Sequence, residues 1–162
     1  MQIHRIGKIV SLFAALAMLA VPAFSQAAKL CSSVGGTFVT DLAVVDQSTT
    51  LGSATGDLKG AVTAAILNVS QNPDGTVSFT VQHHLVTDAG DTISFAQATA
   101  VTMPLTQSLF AVLDYPVHIN GGTGKYAKAT GDLNSIGEVD LSTGRSVFRY
   151  FGKVCLARGG NF

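Results

Sequence analysis

Thr76-Val77-Ser78-Phe79-Thr80-Val81-Gln82-His83-His84-Leu85 is the stretch that decides the fold. Val77, Phe79, Val81, His83 and Leu85 fall on one side of an extended chain, and Thr76, Ser78, Thr80, Gln82 and His84 on the other. That period of two belongs to a strand with one buried face. Two further stretches repeat it. In Arg145 to Leu156, Phe148, Tyr150, Val154 and Leu156 oppose Arg145, Arg149 and Lys153; in Leu109 to Ile119, an apolar face of Leu109, Ala111, Leu113, Tyr115, Val117 and Ile119 opposes Asp114 and His118. Sheets of this kind are antiparallel and face water on one side only.

Turn signals separate these runs at short intervals: Gly35-Gly36, Gly52 to Gly56, Asn72-Pro73-Asp74-Gly75, Asp88-Ala89-Gly90-Asp91, Met103-Pro104, Gly121 to Gly124 and Ser142-Thr143-Gly144. Beyond residue 27 there is one glutamate, Glu138, against sixteen Thr and fifteen Val, so strand formers dominate and helix formers are scarce. About seven strands separated this way indicate an all-β protein. A meander of hairpins fits a closed antiparallel barrel better than a sandwich, because closure removes exposed edges. Ala54-Thr55-Gly56-Asp57-Leu58 recurs as Ala129-Thr130-Gly131-Asp132-Leu133, which suggests two strands entered through the same tight turn.

The whole chain has 162 residues, 47% of them hydrophobic and 12% charged, with ten basic and ten acidic groups. Zero net charge offers no basic face to nucleic acid. The mean hydropathy of +0.38 traces largely to the first residues. His4, Arg5 and Lys8 precede an apolar run from Ile9 to Val21, followed by Pro22 and the small residues Ser25 and Ala27. A run this short falls below the roughly 20 residues that span a bilayer, so residues 1–27 are expected to be a signal peptide rather than a retained anchor helix. Cleavage after Ala27 would leave 28–162 as a single domain, and loss of Arg5 and Lys8 would leave eight basic groups against ten acidic, a net −2. The expected location is secreted or periplasmic, without stable membrane insertion. An oxidising compartment permits a Cys31–Cys155 disulfide; two buried free thiols are the alternative, and the compartment alone favours the bond.

The segment Ile119-Asn120-Gly121-Gly122-Thr123-Gly124-Lys125-Tyr126-Ala127-Lys128-Ala129-Thr130-Gly131 invites two nucleotide-binding readings. A phosphate loop needs Gly where Ile119 stands and Ser or Thr where Tyr126 stands. A dinucleotide fingerprint must open a helix inside a βαβ unit, whereas the residues after Leu133 read as strand. Both fail, and no cofactor is expected.

The same segment, with Gly144 and the strand Ser146-Val147-Phe148-Arg149-Tyr150-Phe151-Gly152, resembles the allene oxide cyclase barrel-like group, which is related to dirigent proteins. The Gly90-Asp91-Thr92-Ile93 turn and the Asp114-Tyr115-Pro116-Val117-His118-Ile119 strand suit the pattern, and the likeness covers roughly Gly75 to Leu156. It implies a calycin-like, eight-stranded antiparallel β-barrel with a central hydrophobic cavity, and a function ranging from cyclase or dirigent-type guidance of a reactive intermediate to none assigned. The matched glycines Gly121, Gly122, Gly124 and Gly131 have a structural reading, as turn residues. No catalytic residue transfers: Glu138 sits among Asp132, Asn134 and Asp140 on a polar face.

Candidate cavity-facing residues therefore come from strand facing: His83, Gln97, Tyr115 and Tyr150. They are the polar groups that could orient an apolar ligand in a barrel mouth, or each could bury its tip against a backbone partner. His83, His84 and His118 are not spaced as metal ligands, because adjacent strand residues point opposite ways. The expected role is binding of a small hydrophobic molecule, with a cyclase- or dirigent-type enzyme and a solid interaction barrel as alternatives. Oligomeric state is left open.

Overall fold

Where a turn signal falls between alternating runs, the chain folds back antiparallel on its predecessor. The computed structural model describes residues 29–157; the signal peptide expected over residues 1–27 lies outside the described residues. The strands are β1 (Leu30–Leu42), β2 (Thr49–Ala54), β3 (Gly60–Gln71), β4 (Val77–Thr87), β5 (Thr92–Phe95), β6 (Ala98–Pro104), β7 (Leu109–Gly122), β8 (Thr130–Asp140) and β9 (Arg145–Leu156). β5 and β6 share one place in the wall, since both pair with β4 on one side and β7 on the other. Nine segments thus make an eight-stranded closed antiparallel barrel, as the facing and the family resemblance led us to expect.

Closure is made by the first and last strands. β1 and β9 pair from Leu30↔Leu156 to Asp41↔Arg145. Cys31 lies directly opposite Cys155 on this seam, and the two form a disulfide across a sequence separation of 124. No helix among the described residues is long and apolar enough to cross a membrane.

One-residue bulges shift which residues face inward. Along β4, partners of β5 sit one register away from partners of β6, so the chain gains an extra residue at Ala96-Gln97. Gln82 Nε2 spans the irregularity and donates to the Phe95 carbonyl at 2.7 Å. Inward residues run Ile93, Phe95, then Ala98, Ala100 and Thr102. Between β7 and β8 a second shift falls between Val112 and Tyr115. It turns Leu113 outward, 66% exposed, while Val112, Tyr115, Val117 and Ile119 are buried, so the uniform apolar face expected from Leu109 to Ile119 is broken there.

The interior is solid at one end. Leu58 and Tyr126, from two short 3-10 turns at Gly56–Leu58 and Gly124–Tyr126, are almost wholly buried there, with Leu85, Ile93, Ile119 and Leu156. The two turns are built alike. Thr55 pairs its hydroxyl with that of Thr37 at 2.6 Å and donates its N–H to the Thr37 carbonyl. Thr123 does the same with Thr92, at 3.1 Å between hydroxyls. A carboxylate completes each: Asp57 accepts from Gly35 N–H at 2.8 Å, and Asp91 accepts from Lys125 N–H at 3.3 Å. The duplicated device is therefore Thr55–Leu58 with Thr123–Tyr126. The five-residue echo misidentifies it: Ala54–Leu58 spans a turn, whereas Thr130 to Leu133 is already strand β8.

Gly35-Gly36 is no turn; it lies within β1. A Cβ on Gly36 would stand 2.0 Å from the Thr55 carbonyl oxygen and 2.6 Å from the Tyr150 hydroxyl, so the absent side chain makes room for the first 3-10 turn to dock. Gly121 and Gly122 end β7, Gly131 lies in β8, and Gly124 opens the second turn at φ +53, a left-handed value that glycine adopts readily.

Candidate functional site

The other half of the barrel is hollow. Residues from eight of the nine strand segments, all but β5, surround a cavity of about 100 Å³, joined by a deeper lobe of about 40 Å³. The two lobes share Phe38, Val62, His83, Tyr115 and Phe148. The larger one reaches Leu42, Val139 and Gly144, beside the turns that link β1 to β2 and β8 to β9, and Ile66, whose N–H donates to the Ser48 carbonyl in the first of these turns. Its volume is of the order of the ~150 Å³ apolar cavity that admits a benzene molecule elsewhere. The wall is apolar apart from the hydroxyls of Thr40, Thr50, Thr102, Ser135 and Ser146 and one imidazole–phenol pair. Near the open end, Thr40 and Ser146 pair their hydroxyls at 2.6 Å, and Thr102 donates to the Val77 carbonyl at 3.0 Å. Deeper, His83 Nε2 and the Tyr115 hydroxyl lie 2.6 Å apart.

Alternation in β4 puts His83 on the inner face, and the bulge in β7 turns Tyr115 towards it. The imidazole also meets Phe95 edge-on, with ring centroids 6.2 Å apart. No charged side chain lines either lobe. Desolvation by this apolar wall pushes the His83 imidazole down from 6.5 to about 4 and the Tyr115 phenol well above its ordinary value. Near neutral pH the site is therefore an uncharged imidazole sharing a hydrogen bond with an uncharged phenol.

This neutrality has a consequence for stability. The unfolded chain takes up a proton on His83 near pH 6.5 and the folded chain only near 4, so stability is complete above the unfolded value and declines as pH falls between the two. At pH 4.5 the expected loss relative to pH 7.5 is on the order of 2 kcal/mol from this residue. Urea unfolding at both pH values, in wild type and His83→Gln, checks it; an equal pH effect in the two proteins would contradict it.

The four residues chosen from facing do not all meet. His83 and Tyr115 come together in the cavity. Gln97 does not: the bulge at Ala96-Gln97 reverses the alternation, and Gln97 is exposed on the outer wall beside Pro116 and His118. Tyr150 is inward but lines neither lobe; it is fully buried, stacks on Phe38 with centroids 4.6 Å apart, and its hydroxyl is held by backbone groups. Sequence reasoning missed the ring of cavity hydroxyls at Thr40, Thr102 and Ser146, though each sits in an inward register that alternation could have marked. Outside the barrel, His118 Nδ1 lies 2.7 Å from Asp132 in an exposed pair. Among the described residues no three His, Cys, Asp or Glu side chains are grouped to hold a metal ion.

No protein-family profile matches the chain, and no curated protein matches it. Among solved structures, the pterocarpan synthase dirigent protein GePTS1 is similar at 14% identity and a TM-score of 0.37, over 88% of this chain and 100% of that one. The pterocarpan synthase dirigent protein PsPTS1 is similar at 15% identity and a TM-score of 0.37, over 83% of this chain and 99% of that one. With scores this low, the barrel stands on its own strand pairing, and the site on its own geometry.

Proposed function

We propose that this chain is an exported barrel that binds one small, mainly apolar molecule in its hollow half, without turning it over. The observation that carries the reading is an apolar cavity whose deep polar feature is the uncharged His83–Tyr115 pair. Apolar pockets with a few convergent polar groups are the usual form of small-molecule sites. Export is supported by the Cys31–Cys155 bond, which persists in oxidising compartments, and by the leader-like residues 1–27.

The test is an NMR titration of the processed protein with ethylbenzene. Saturable shifts are expected at the methyls of Val62, Ala64 and Val112, with a Kd of roughly 0.1–1 mM for so few atoms. Ala64→Leu, which narrows the cavity, should abolish them while the thermal transition persists. The intact mass of the same sample should start at Ala28. Shifts that grow linearly without saturation, in a folded protein, would refute the binding reading.

A second reading, guidance of a reactive intermediate, has one supporting observation: a neutral imidazole hydrogen-bonded to a phenol can relay a proton inside a water-poor cavity. It would be dropped if a turnover found for this protein were unchanged in His83→Gln and Tyr115→Phe.

A further inference from the structure

We infer that the cavity selects an uncharged molecule carrying a hydrogen-bond acceptor, such as a small ketone or aldehyde, and turns away carboxylates and ammonium ions. The inference rests on the binding reading above and names the chemistry of its ligand.

The protons available to the His83–Tyr115 pair fix its tautomer. A neutral imidazole has one N–H and one acceptor nitrogen. The Tyr115 hydroxyl has no hydrogen-bond partner other than His83 Nε2 among the described residues. If Nε2 carried the proton, it would donate to the phenol oxygen, and both the phenolic O–H and the bare Nδ1 would lack partners. If Nδ1 carries it, the phenol donates to Nε2, and a single group, Nδ1–H, is left over. Burial of polar groups without partners is costly, so the arrangement with one orphan is favoured over the one with two. Nδ1 bonds to no protein group, and the buried unpartnered side-chain atom among the described residues is Thr87 Oγ1, not Nδ1. The cavity therefore presents one N–H donor, which a carbonyl oxygen satisfies. Of the hydroxyls on the wall, Thr102 and Thr50 donate to the Val77 and Ala64 carbonyls, while the Thr40–Ser146 pair keeps one O–H to spare and the Ser135 side chain bonds to no protein group, so what these hydroxyls add is further donors for the same acceptor.

Charge at the rim and on the wall acts in the same direction. The turns at the open end carry Asp46, Asp74 and Asp140, each held below its usual carboxylate range, chiefly by hydroxyl hydrogen bonds from Ser48, Thr76 and Ser142. Arg145, the basic residue at this end among the described strands, is tied to Asp41 at 3.2 Å. An approaching anion meets ionised carboxylates and then a wall without a cation. An ammonium ion passes that rim but meets a few neutral hydroxyls and the His83 N–H, and no counter-charge inside. Either ion would be buried unpaired, which is strongly unfavourable.

Four probes on one ring separate the outcomes: ethylbenzene, acetophenone, benzoate and benzylamine, titrated by NMR at pH 7. Acetophenone should bind about fivefold to tenfold tighter than ethylbenzene, the gain of one neutral hydrogen bond, and His83→Phe should reduce that ratio to within about twofold. Benzoate and benzylamine should bind at least about a hundredfold more weakly than acetophenone. On the wild-type protein, imidazole ¹⁵N shifts should show the proton on Nδ1. Equal binding of acetophenone and ethylbenzene, benzoate or benzylamine binding as tightly as acetophenone, or a proton on Nε2 would each overturn the inference and leave the binding reading intact. Failure of ethylbenzene and acetophenone alike would overturn both.

Discussion

Replacing both Cys31 and Cys155 with serine is expected to lower the unfolding free energy by about 2–5 kcal/mol, with the barrel otherwise unchanged. The bond joins residues 124 apart in sequence, so it removes a large share of the disorder available to the unfolded chain. It adds little to the folded seam, where β1 and β9 are already paired from Leu30 to Asp41. The effect therefore acts through the unfolded state, and kinetics should reveal it. The serine variant should refold more slowly, because β9 must find β1 across the whole chain, while its unfolding rate changes little. Equilibrium and stopped-flow urea experiments on both proteins test this. A stability difference below about 1 kcal/mol, or one that appears wholly in the unfolding rate, would contradict it.

Tyr150→Phe is expected to destabilise by about 2–4 kcal/mol, although it removes a single oxygen. That oxygen accepts from the Leu58 N–H at 2.8 Å and donates to the Thr55 carbonyl at 2.9 Å, and Tyr150 is fully buried. Phenylalanine would fill the same space and leave a backbone donor and acceptor of the first 3-10 turn without partners. Each such orphan costs about 1–3 kcal/mol. Because the turn is also where Leu58 enters the solid core, the loss should appear in thermal melts and in faster exchange of the Leu58 amide. Binding of ethylbenzene by the folded fraction should be kept, since Tyr150 lines neither lobe. A stability within 0.5 kcal/mol of wild type, the ordinary range for an unimportant substitution, would show that the hydroxyl is not a strut.

The two strands with uninterrupted alternation were legible in full. Residues 77–85 and 146–156 face as their pattern of apolar and polar residues requires, and His83 is inward for that reason. Gln97 and Leu113 were not legible, because a single inserted residue reverses every later facing, and nothing in Ala96-Gln97 or Leu113-Asp114 distinguishes a bulge from an ordinary step. Tyr150 was placed on the inner face, but its partners lie 92 and 95 residues away. Local pattern carries no information about which backbone groups a phenol will reach. Gly35-Gly36 misled for a related reason: a pair of glycines signals a turn locally, while here it accommodates a distant turn pressing on a strand. The cysteines were paired from compartment alone, and the barrel seam supplies the geometry that compartment could not.

The division of the interior into a solid half and a hollow half also separates what can change from what cannot. The Thr55–Leu58 and Thr123–Tyr126 turns, Tyr150 and the disulfide all lie away from the hairpins at 43–48, 72–76, 105–108 and 141–144. Variation in those four hairpins alters what enters the barrel without disturbing what holds it shut. The scaffold can therefore acquire new recognition by drift at one end while selection for folding acts on the other.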